Sequence, residues 1–79
     1  MRLINKLDRY LENKNYEIIV KENSINVINF KEIIDFSMNK ISLRCDDKII
    51  IVEGKELIIS KMLDDELLIT GIIFNIRIN

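Results

Sequence analysis

From Lys40 to Ile78 the chain is a run of short β-branched segments, separated by charged turns and by its only two glycines, Gly54 and Gly71. Ile41-Ser42-Leu43-Arg44-Cys45 alternates apolar and polar residues, Lys48 to Glu53 is almost entirely apolar, and Ile72-Phe74-Ile76-Ile78 alternates again. A period of two is the mark of a half-buried strand, because successive side chains leave a strand on opposite sides. This half of the chain therefore reads as a small β body. Little polar chemistry stands between the isoleucines, which restricts the mechanisms open to it.

The same period reaches back to Tyr16. Strands are expected over Tyr16–Val20, Ser24–Asn29, Glu32–Phe36, Lys40–Cys45, Lys48–Glu53, Leu57–Met62, Leu67–Thr70 and Ile72–Ile78. Turns fall at Lys21-Glu22-Asn23, Ser37-Met38-Asn39, Asp46-Asp47 and Leu63-Asp64-Asp65, where Asn, Asp and Ser favour local hydrogen bonding. Lys40 to Cys45 is the cleanest alternator and places Ile41, Leu43 and Cys45 inward, with Ser42 and Arg44 outward. Phe74 and Ile76 are expected to join that core, as are Phe30 and Phe36. Gly54 and Gly71 each follow a strand-like segment, so they are expected to hold backbone conformations that a Cβ disfavours.

Ahead of this body, residues 2–13 have helical spacing. Leu3, Leu7, Tyr10 and Leu11 share one face, and Arg2, Lys6, Arg9 and Glu12 take the other. Such a helix would either lie against an open sheet face or bind a partner. Asp8 and Glu12 dilute its basic character and weaken any membrane-surface role. The expected fold is one domain over residues 1–79. It is an all-β antiparallel sandwich or roll of about seven short strands over residues 16–78, with one N-terminal amphipathic helix. A short parallel β-solenoid is the alternative topology, since it shares the strand–turn rhythm.

Composition removes whole classes of chemistry. The chain has no histidine and one cysteine, so it has neither a disulfide, nor a Ser–His or Cys–His nucleophile pair, nor a structural zinc ligand set. Cys45 on an inward face reads as a small core residue. The 12 basic and 13 acidic residues are interspersed, without the basic stripe that nucleic-acid binding needs. No glycine-rich phosphate loop occurs. Asp46-Asp47 and Asp64-Asp65-Glu66 fall in turns and lack calcium-loop spacing. No cofactor, metal or catalytic residue is expected, and the chain is not expected to be an enzyme.

No secretory signal is expected, because Asn5, Lys6 and Asp8 interrupt the apolar start. Ile49 to Val52 is far too short to span a bilayer, so no direct membrane insertion is expected. The expected setting is the reducing cytoplasm.

The hydrophobic fraction, 48%, is high for a chain this short. Such a small domain buries only roughly 60% of the surface its unfolded form exposes. Several segments carry aliphatics on both alternation sets. Ile33, Ile50, Val52 and Ile58 are the residues expected to form an interface, and a homo-oligomer, most simply a dimer, is the expected closure. A small ligand- or nucleic-acid-binding β module is the competing class.

Four segments carry a family likeness. They are Ile25-Asn26-Val27-Ile28-Asn29-Phe30-Lys31-Glu32-Ile33-Ile34-Asp35-Phe36, then Lys40-Ile41-Ser42-Leu43, then Ile51-Val52-Glu53-Gly54-Lys55-Glu56-Leu57-Ile58-Ile59, and last Asp65-Glu66-Leu67-Leu68-Ile69-Thr70-Gly71 before a closing apolar strand. In this order they resemble the YabP/YqfC family of sporulation proteins, over about two-thirds of the chain. The Gly54–Leu57 and Glu66–Gly71 segments are the most specific parts. The N-terminal helix fits the YqfC branch, where a short leader precedes the β body. The resemblance implies a small protein of endospore-forming Firmicutes, made in the mother cell and linked to spore envelope or coat development. It further implies a membrane-bound sporulation partner and a place at the periphery of the forespore membrane. It supplies no catalytic residue.

Overall fold

The computed structural model describes residues 16–79. The helix expected over residues 2–13 lies outside them. Six strands follow one another: β1 (Glu17–Lys21), β2 (Ser24–Ile28), β3 (Glu32–Phe36), β4 (Lys40–Cys45), β5 (Lys48–Met62) and β6 (Glu66–Ile78). They form a six-stranded sheet in the order β1-β2-β6-β5-β4-β3, with every neighbouring pair antiparallel. The all-β antiparallel expectation holds for the described residues. The parallel solenoid does not, because every pairing is antiparallel and short turns such as Asp46-Asp47 send each strand except β3 back beside its predecessor. Asp46 itself takes φ 57°, a conformation in which Asp is tolerated.

The strand count is corrected by the two glycines. Lys48–Glu53 and Leu57–Met62 run together as the 15 residues of β5, and Leu67–Thr70 and Ile72–Ile78 as the 13 of β6. Neither Gly54 nor Gly71 ends a strand. Instead they let β5 and β6 pass one another closely while remaining paired. Gly71 has φ 138°, and a Cβ there would sit 2.6 Å from the Glu56 carbonyl oxygen. A Cβ on Gly54 would overlap the Ile72 carbonyl oxygen and lie 2.9 Å from Leu57 Cδ2. Between Lys55↔Ile72 and Ile58↔Thr70 the register shifts, so Glu56 and Leu57 together oppose Gly71. Glu56 takes φ 55° there. Such a bulge bends a strand and sharpens its twist.

The backbone groups freed at this corner are satisfied by the flanking hairpins. The Gly54 N–H donates to the Asn39 carbonyl (3.0 Å), the Leu57 N–H to the Met38 carbonyl (2.8 Å) and the Gly71 N–H to the Asn23 carbonyl (3.2 Å). The β3–β4 turn thus closes one side of the corner and the β1–β2 turn the other. Buried backbone donors are costly unless paired, so both turns help to hold the bend.

On either side of the corner the sheet has different neighbours. Beyond Gly71, β6 pairs, among the described residues, only with β5, next to β4 and β3. Before it, β6 lies between β2 and the far end of β5. The two parts contribute to one core: Ile25 and Val27 from β2, Ile41, Leu43 and Cys45 from β4, Ile50, Val52 and Leu57 from β5, Leu67 and Ile69 from β6, and Phe30. Ile41, Leu43 and Cys45 are buried and Arg44 is exposed, as the alternation expects. Ser42, expected outward, is buried as well, at 5% exposed, between Asp35 of β3 and Ile51 of β5. Ile76 is partly buried against the same cluster.

Phe74 departs from expectation, at 68% exposed. Glu53 pairs with Asn75 but Gly54 pairs with Ile73, so Phe74 is the extra residue of a second bulge. That bulge breaks the period which the sequence alternation assumed. Phe36 is exposed as well, on the outermost strand β3, and only Phe30 of the three phenylalanines is core.

Candidate functional site

The four residues expected to form an interface do not come together. Ile50 and Val52 are fully buried in the core, which is a correction. Ile33 is partly buried against that core, opposite Leu43. Only Ile58 is well exposed, opposite Thr70. The phase of Ile49-Ile50-Ile51-Val52 cannot be read within the segment, because all four residues are aliphatic. The hairpin supplies it. A two-residue turn at Asp46-Asp47 sets Cys45 against Lys48, hence Leu43 against Ile50 and Ile41 against Val52. Directly opposed residues share a face, so the inward set of β4 dictates the inward set of β5.

Most of the exposed large apolar residues lie instead on strand segments with a neighbour on one side only, among the described residues; Met38 and Leu63 lie in turns, and Ile49 lies on β5 between β4 and the end of β6. Ile19 and Val20 lie on β1, Ile34 and Phe36 on β3, Ile58 and Met62 on the last part of β5, and Ile72, Phe74 and Ile78 on the last part of β6. Sequence alternation reports which way a side chain faces. It does not report whether a further strand stands beside it, so these positions carried no signal in the sequence.

The last part of β6 is the longest of these margins. Ile49 and Asn79 exchange both backbone hydrogen bonds, Asn79 N–H to the Ile49 carbonyl at 2.9 Å and Ile49 N–H to the Asn79 carbonyl at 3.1 Å. Antiparallel ladders alternate between such pairs and pairs whose groups point away. Arg77 and Asn75 therefore also spend their backbone groups on β5, while those of Ile76 and Ile78 turn to the free side. Side chains add a polar strip on the outward face. Glu53 accepts from Asn75 Nδ2 at 2.8 Å and from Arg77 Nη2 at 3.1 Å. A comparable exposed ion pair joins Arg44 to Glu32 across β4 and β3 at 2.8 Å. Exposed pairs of this kind contribute little to stability. Here they fix the outward charges and leave the margin of β6 with a single charge, Arg77.

The cysteine is not arranged for chemistry. Cys45 is fully buried, and burial pushes its thiol pKa up, reinforced by Asp46 and partly opposed by Lys31. A nucleophilic cysteine needs the opposite shift. Among the described residues no group of three or more His, Cys, Asp or Glu is placed to hold a metal ion. No helix among them is long and apolar enough to cross a membrane.

No family model, curated protein or solved structure matches this chain. The class defined by the fold is a small antiparallel all-β domain whose margins are rich in exposed aliphatic and aromatic side chains.

Proposed function

We propose that this protein is a non-enzymatic structural or interaction protein of endospore formation, resembling the YabP/YqfC family. It works in spore envelope or coat development by self-association or by docking to a membrane-anchored sporulation partner. The observation that supports an interaction role is the placement of Ile72, Phe74, Ile78, Ile58 and Met62 on strand margins. Exposed apolar groups on such margins are a recurrent mark of contact sites. The sporulation setting rests on the order of the two strand–glycine segments, Ile51 to Ile59 and Asp65 to Gly71. The place of action would be the mother-cell cytoplasm, at the periphery of the forespore membrane.

The test is a tagged full-length chain expressed in sporulating cells and recovered after mild cross-linking. Recovery of a second copy or of a membrane-anchored sporulation protein is expected, together with spores of defective envelope when the gene is deleted. Normal spores from the deletion strain, with the tagged chain recovered alone, would remove this reading.

A further inference from the structure

We propose that the free margin of β6 pairs antiparallel with the same margin of a second copy, about a two-fold axis through Ile76. This deepens the self-association proposed above and rests on it. The margin offers what a strand needs in a partner. Ile76 and Ile78 turn their backbone donors and acceptors outward, because the Asn79–Ile49 pair sets the alternation of the ladder. Among the described residues nothing pairs with that side.

The identity of the occupant follows from self-complementarity. A two-fold at Ile76 sets Ile76 against Ile76 of the second copy, Phe74 against Ile78, and Asn75 against Arg77. Phe74 and Ile78 are among the exposed apolar residues, at 68% and 52%, and each meets the other. The only charge of the margin meets a neutral amide.

Neighbouring registers fail on backbone pairing, charge or the bulge. A shift by one residue sets the outward groups of Ile76 against Arg77, whose own groups are spent on β5. A shift that moves the axis to Arg77 sets two guanidinium groups directly opposite, which is destabilising. Moving the axis to Asn75 draws the Phe74 bulge into the middle of the new ladder, where it interrupts pairing. With the axis at Ile76 the bulge sits at the end of the ladder. The paired sheet edges would then run continuously through both copies, an isologous contact that closes at two.

The experiment uses the full chain, as wild type and as three single variants. In the proposed register Asn75 and Arg77 form a pair without backbone hydrogen bonds between them, about 4.5 Å apart at Cα, within disulfide reach. Asn75→Cys and Arg77→Cys, mixed and oxidised with copper phenanthroline, are expected to give a covalent heterodimer, while each alone gives several-fold less. Phe74→Lys places a charge on an exposed position and is expected to abolish the dimer seen by light scattering, with thermal unfolding of the monomer unchanged. A wild-type dimer that survives Phe74→Lys, without heterodimer cross-linking, would overturn this edge and leave self-association standing. A wild type that stays monomeric at every concentration would overturn both the edge and self-association, leaving the membrane-anchored partner as the remaining route.

Discussion

Strand β6 carries two stretches of similar composition into different surroundings. Glu66 to Thr70 lies between β2 and β5, and there Leu67 and Ile69 are fully buried. Among the described residues Ile72 to Ile78 has β5 on one side only, and there Ile72, Phe74 and Ile78 are about half exposed or more. Both stretches are rich in large aliphatics, so hydrophobicity does not separate them. The number of neighbouring strands does. Gly71 stands at the boundary, where the strand leaves one set of neighbours for another. Burial in this fold is a property of sheet position, and the same residue type performs opposite tasks a few positions apart.

The comparison can be broken most directly at the corner that creates it. Gly54→Val forces side-chain atoms into the Ile72 carbonyl, a backbone overlap that no rotamer relieves. A loss of about 4 kcal/mol or more is expected, at the extreme of single substitutions, measured by denaturant unfolding. Gly71→Val combines crowding against Glu56 with a positive φ and should rank close behind. Two silent variants would show that the corner tolerates side chains and that the two stretches of β6 are separated by something else.

Next comes the buried stretch itself. Leu67→Ala removes a fully enclosed side chain, and a cost of roughly 2–5 kcal/mol is expected from lost transfer energy and the cavity left behind. A cost under about 0.5 kcal/mol, typical of surface changes, would place Leu67 with the margin residues.

A smaller effect marks the buried side by titration. The Cys45 thiol pKa is raised in the folded chain, chiefly by burial, so the folded state holds its proton more firmly than the unfolded state. The contribution is fully present below the unfolded thiol pKa of about 8.5 and is lost as pH rises through the folded value. Wild type should therefore lose more stability than Cys45→Ala between neutral and strongly alkaline pH. Parallel curves for the two proteins would remove the thiol from the account.

The smallest effect is expected on the margin. Phe74→Ala should change monomer stability by no more than about 0.5 kcal/mol, despite removing the largest side chain of its stretch. A loss comparable to that of Leu67→Ala would show that Phe74 is covered after all.

Much of the β body was legible because local patterns decide it. The turns at Glu22-Asn23, Met38-Asn39, Asp46-Asp47 and Asp64-Asp65 fall where expected, and the inward face of β4 follows directly from its alternation. Three things were not legible. The glycines read as stops, because a glycine after an apolar run marks a turn and a corner equally well. The bulges at Phe74 and at Glu56-Leu57 have no compositional sign, since they arise from how β5 and β6 must shift past one another. Ile50 and Val52 face the core and not the surface, and a run of four aliphatics has no phase of its own to show it. The candidate site was less legible than the fold, since it depends on which strands lack a neighbour and therefore on strand order.

Four of the five strand pairings join elements adjacent in the chain, and only β2 with β6 reaches across it, from Ser24↔Thr70 to Ile28↔Glu66. Closing such a distant pairing costs more chain entropy than any hairpin does. The β3–β6 meander can therefore assemble from local steps, with the β1–β2 hairpin arriving last. A transient opening that releases this hairpin uncovers Leu67 and Ile69 and leaves all 13 residues of β6, among the described residues, paired with β5 alone. That opened form is the aggregation hazard of this molecule, and the Gly71–Asn23 hydrogen bond is part of the latch that keeps it rare.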